Sequence, residues 1–178
     1  MHVRALVFAG VMAAMAAVLQ TAPVWVMAPA GYALSILASL PAAVAVVAYP
    51  REAPYGILAA VLACLMISPQ EALIFACTNG AFGLALGWSA RSGYGWWRST
   101  LLAAATLWAG MALLTWGVGV AALGEGLLAR GFLVAAGAYA AFALSWSAAF
   151  TSLFRVIHRR IAPVLERRMP PQRGSPQE

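Results

Sequence analysis

The chain has no lysine and no aspartate, and its five acidic residues are all glutamate. A water-soluble domain covers its surface with charges of both signs, and here only 9% of 178 residues are charged against 63% hydrophobic. Mean hydropathy is +0.85, so a soluble globular domain is excluded. The two histidines, His2 and His158, are too few and too far apart for a transition-metal site. Cys64 and Cys77 each fall within an apolar run and read as small buried hydrophobes, with no zinc spacing and no disulfide framework. There is no P-loop, no Gly-x-Ser-x-Gly and no His-Glu-x-x-His. The chain is therefore not read as an enzyme, has no ATP site of its own, and is assigned no catalytic residue, cofactor or metal.

What is present is arginine and long apolar runs. Eleven arginines give a pI near 10.2. Gathered at the margins of the apolar runs, they read as topology signals and contacts to anionic lipid headgroups, not as a nucleic-acid surface. Polar, glycine and proline breaks divide the sequence into six pieces near the ~20 residues a bilayer core requires. The expected fold is all-α, a polytopic six-transmembrane-helix bundle occupying residues 1–154. Its helices are placed at about 4–20, 32–49, 53–67, 69–89, 98–118 and 131–154.

The segment 21–31, with Pro23, Trp25 and Pro29, reads as a connection at the membrane surface or folding back into it. Ser68-Pro69-Gln70-Glu71 is a capping box with proline in the first turn. Beyond residue 154 the mixed arginine and apolar residues predict a basic helix along the headgroups (155–169), followed by a disordered tail (170–178). Six crossings place both termini on one side. With that side cytoplasmic, Arg4, Arg51, Arg91, Arg98 and six arginines of the tail lie inside and Arg130 alone lies outside, as the positive-inside rule requires. A cleavable signal peptide over residues 1–17 is the rival reading of the start. The apolar run continues past Ala17 to Met27, long enough to span, and favours retention.

Small residues recur at every fourth position on three helices: Ala5, Ala9, Ala13 and Ala17 on the first, Gly83 and Gly87 on the fourth, and Gly137, Ala141, Ser145 and Ala149 on the sixth. In lipid such strips let another helix approach closely and gain dispersion contacts. Glu71 has two readings, as the third residue of the capping box or as a ligand contact at the outer rim. Asn79, eight residues further along the same helix, should point into the bundle, making an interhelical hydrogen bond or facing a ligand. Trp25, Tyr32, Trp116, Trp108 and Tyr139 read as interfacial anchors or as walls of a pocket in which Gln20, Thr115 and Asn79 orient a solute.

Six short helices, the Ala9-x-x-x-Ala13 pair in the first of them and the basic tail together resemble the substrate-binding S component of energy-coupling factor (ECF) transporters, over about residues 1–165. The resemblance implies docking of the alanine strip on a transmembrane coupling (T) subunit driven by paired ATPases. That role falls on Ala9 and Ala13, with Ala5 and Ala17 extending the face. It also implies an outward-opening site for a small, vitamin-like organic solute, involving Trp25, Glu71, Asn79, Trp116 and Tyr139, in a multi-pass protein of the bacterial cell membrane. Residues 40–88 are likewise similar to YybS-like membrane proteins, which share that general fold.

The alternative is a non-transporting membrane scaffold of the MreD-like type, which binds partners through small-residue faces and has no pocket. An open Ala9/Ala13 face and an outer cavity lined by Asn79 and aromatics would favour the first reading. A covered face and a filled interior would favour the second.

Overall fold

The computed structural model describes residues 3–27, 29–121 and 124–168. The Met1-His2 start and the tail from Pro170, expected to be disordered, lie outside these residues. Six main helices follow one another: α1 (Val3–Gln20), α2 (Ala30–Ala48), α3 (Ala53–Ile67), α4 (Pro69–Arg91), α5 (Trp96–Val118) and α6 (Phe132–Arg168). Single helical turns at Ala22–Trp25 and Glu125–Leu128 interrupt the connections after α1 and α5. All but α3 are long and apolar enough to cross a membrane, so the described residues form an all-α fold with the helices of a candidate multi-pass membrane protein. The 15 residues of α3 rise only about 22 Å, short of a ~30 Å hydrocarbon core.

The helices pack in the order α3, α1, α2, α4, α5, α6, and α6 rests mainly on α5. Three contacts fix which ends meet. The Phe8 ring sits edge-on to Tyr49 at 5.4 Å, Arg91 Nη1 donates to the Val47 carbonyl at 3.2 Å, and Arg155 Nη2 donates to the Tyr94 carbonyl at 2.7 Å. The start of α1, the ends of α2 and α4, the start of α5 and the tail of α6 thus share one end of the bundle, which is rich in arginine.

Glycines set the closeness of the central pairs. A Cβ on Gly83 would lie 2.5 Å from the Ser39 carbonyl oxygen, and one on Gly87 2.5 Å from that of Ala43. Gly110 of α5 presses on the backbone carbonyl of Cys77 in the same way. Without side chains at these positions the backbones of α2, α4 and α5 come close enough to gain dispersion along their length. The core beside them is built of Phe82, Leu86, Leu107, Met111, Tyr139 and Phe150, with the Phe82 and Phe150 rings edge to face at 5.7 Å. A second core, of Ala13, Ala16, Ala38, Ala60 and Phe75, joins α1 to α2, α3 and α4.

Two spans are not regular. The backbone widens to π-type turns over Ala76–Gly80 in α4 and over Leu113–Val118 in α5. The second ends at Gly119, whose φ of +83° is the left-handed conformation that glycine supplies at helix ends. The basic segment expected to form a separate helix at 155–169 instead continues α6, whose 37 residues run from Phe132 to Arg168 with Pro163 inside.

Candidate functional site

The alanine ladder of α1 is used inside the chain. Ala5, Ala9, Ala13 and Ala17 are all buried. A Cβ on Gly56 of α3 would come within 3.0 Å of the Ala9 carbonyl oxygen. Ala13 packs with Ala60 and Phe75, and Ala17 with Cys64 and Ala72. The face expected to meet a coupling subunit is thus covered here by α3 and its neighbours. The opposite holds on α6, where Gly137, Ala141, Ser145 and Ala149 are all exposed and a Cβ on Gly137 would meet nothing within 4 Å. The sequence reading found this ladder but not that it faces outward. Only 22% of the α6 span is buried, the smallest share among the five membrane-length helices.

At the end opposite the arginines, three helices meet through polar side chains. Gln20 closes α1 and is 1% exposed. Its Nε2 donates to Glu71 Oε2 at 2.7 Å, and its Oε1 accepts from Asn79 Nδ2 at 2.7 Å. Asn79 Nδ2 also donates to the Ser35 carbonyl of α2 at 3.1 Å. The widened turn at Ala76–Gly80 contains Asn79.

The Ser68 hydroxyl caps α4 by accepting from the Glu71 amide at 3.3 Å. The reciprocal half of the expected capping box is absent: the Ser68 amide donates to the Cys64 carbonyl at 2.7 Å, while the Glu71 carboxylate turns to Gln20. Glu71 and Asn79 are therefore joined through Gln20 into a relay among α1, α2 and α4. Amide to carboxylate and amide to amide, each bond satisfies a group that lipid would leave bare.

The aromatic residues expected at the same site lie elsewhere. Trp116 stands between Phe132, at 4.8 Å, and Tyr139, at 5.5 Å. The Tyr139 hydroxyl is 2.9 Å from Thr115 Oγ1. This cluster belongs to α5 and α6, with Tyr139 fully buried in the core. Trp25 is 70% exposed and Tyr32 is exposed too, as suits interfacial rings. Trp108 spends its indole N–H on the Ala136 carbonyl at 3.2 Å. The five residues named as one solute site thus separate into a polar relay, an aromatic stack and a surface tryptophan.

No solute-sized pocket appears among the best-formed ones in the described residues. The two best-formed pockets among the described residues hold about 10 Å³ each, on the order of one water molecule, where ligand sites run to ~300 Å³ and more. One is lined by α1 alanines with Gly56 and Phe75. The other lies between α2 and the tail of α6. Neither is lined by Asn79 or by the Trp116 cluster. Among the described residues no group of histidine, cysteine or acid could hold a metal ion. Comparison with known proteins returns no match to a family model, a curated protein or a solved structure.

Proposed function

We propose that this chain is a membrane-embedded interaction subunit: a non-transporting scaffold that presents one face of α6 to a transmembrane helix of another protein. The observation that carries this reading is the contrast between the covered alanine face of α1 and the open small-residue face of α6. The α1 ladder is covered by α3, Gln20 is bonded to both Glu71 and Asn79, and the two best-formed pockets among the described residues are no larger than about one water molecule. The small residues at 137, 141, 145 and 149 nevertheless face outward. A helix laid on that face gains close backbone contact, which is how helices associate in lipid. A substrate-capturing subunit of the ECF type would need an outer cavity and a free α1 face, and neither feature supports it here. The same reading takes α3 as a short sixth crossing, the arginine-rich end with both termini as cytoplasmic, and the bacterial cell membrane as the location.

Cross-linking in intact membranes tests this. With Cys64 and Cys77 replaced by alanine, a single cysteine in place of Ala141 should trap one discrete protein species. A cysteine in place of Leu101, exposed on α5, should not. Gly137→Leu should abolish the adduct while the bundle stays folded. An adduct unchanged by Gly137→Leu overturns the proposal, and a stoichiometric organic solute recovered from the gently purified chain would return the assignment to solute capture.

A further inference from the structure

We infer that the arginine-rich end holds an anionic phospholipid in the angle between α2 and the tail of α6. This inference does not depend on a protein partner for α6. Two different chemistries meet there. The first is an apolar cleft: Phe154, Ile157 and Ile161 of α6 face Val44 and Val47 of α2, with His158 on the same wall. Its volume of about 10 Å³ is far too small to enclose a solute. What it offers is an apolar wall, Val44, Val47, Phe154, Ile157 and Ile161, against which a hydrocarbon chain lies.

The second chemistry is guanidinium. Arg91 is tethered to the Val47 carbonyl, on the last turn of α2 beside the cleft. Arg155, on the residue after Phe154, is tethered to the Tyr94 carbonyl. Each tether fixes a planar five-donor group by one donor, leaving the others for the paired acceptor oxygens of a phosphate.

The neighbouring charges favour an anion as well. Arg98 in the first turn of α5 and Arg159 one turn beyond Arg155 are both exposed. Among the described side chains, Glu52 is the one acid at this end of the bundle. Trp88 and Trp97, 55% and 71% exposed, close the adjoining helix ends with the amphipathic rings that sit at headgroup level. A free phosphate would use the arginines but not the cleft. A zwitterionic lipid would use the cleft but gain little from the arginines. A phospholipid of net negative charge uses both.

The test uses the full chain in an uncharged detergent, with native mass spectrometry to count adducts and thermal unfolding to read stabilisation. Dioleoyl phosphatidylglycerol should remain bound and raise Tm. Dioleoyl phosphatidylcholine and inorganic phosphate should do neither. Arg98→Gln with Arg159→Gln, two exposed positions, should weaken phosphatidylglycerol binding by about tenfold, and Arg130→Gln at the other end should leave it unchanged. Equal binding of the two lipids, an equal Tm shift from phosphate alone, or an equal loss in the Arg130 variant would each overturn the inference. In the unmodified chain the phosphatidylglycerol shift should shrink as salt is raised, and a salt-independent shift overturns it too.

Discussion

Gln20 shows how one side chain can decide the packing of three helices. It ends α1, yet it is the group through which Glu71 and Asn79 are connected. Gln20→Leu leaves the Glu71 carboxylate and the Asn79 amide each short of a partner. Unfolding in mixed detergent micelles should show a loss of about 1–2 kcal/mol. Glu71→Gln keeps an acceptor oxygen for Gln20 and should cost less. A double-mutant cycle over Gln20 and Glu71 should return a coupling that the cycle over Gln20 and Thr106, on another part of the surface of α5, does not.

A second expectation concerns hydroxyls with no partner. Thr100 Oγ1, Ser147 Oγ and Thr151 Oγ1 are buried on α5 and α6 without a hydrogen bond. Replacing Thr151 by valine, of the same shape, should therefore be neutral or stabilising by up to about 1 kcal/mol in the same titration. At this scale the sequence was half legible. The isolated polarity of Asn79 within an apolar run marked it as inward-facing, and the spacing of Ser68 and Glu71 marked a helix start. That Glu71 would leave the cap for a residue 51 positions away could not be read, because the competition depends on which helices become neighbours.

The ladders of α1 and α6 are the same pattern put to opposite uses. Periodicity tells which residues share a face; it does not tell whether that face is covered. Burial of Ala9 against α3 predicts that Ala9→Leu destabilises the bundle by about 1–3 kcal/mol through overpacking. Gly137→Leu, with open space around it, should stay within about 0.5 kcal/mol of the parent. Equal losses at the two positions would contradict the placement of α1 between α2 and α3. Helix boundaries were legible wherever a strong punctuator stood: Pro54 and Pro69 in first turns, and Gly95 and Gly119 at ends. The unbroken passage of α6 through Arg155 to Arg168 was not, since arginine marks a membrane margin without stopping a helix and is itself a good helix former.

For the whole molecule, the asymmetry of arginine is the most readable property and the contacts between ends agree with it. Single cysteines at Ser92 and at Gly126, both exposed, should be labelled by a membrane-impermeant maleimide from opposite sides of the membrane. Ser92 should react only after the cytoplasmic side is opened. Labelling of both from one side would remove α5 as a crossing. Of the six expected crossings, five coincide with helices of membrane-spanning length, and the third coincides with the shorter α3. The sequence could not foresee how little of α6 its neighbours would cover, because the order of helices in space, α3, α1, α2, α4, α5, α6, is not the order along the chain.

The widened turn at Ala76–Gly80 has a mechanical meaning for α4. A turn that closes on the fifth residue instead of the fourth carries one residue more than a regular screw, so the two halves of this helix are phased separately. The upper half aims Ala72 and Phe75 at α1 and α3, and the lower half aims Gly83 and Gly87 at α2. Deleting Thr78 would restore an uninterrupted screw and swing one half out of step with the other. The cost would fall on whichever of the two neighbour sets lost its match, even though no apolar residue had been removed.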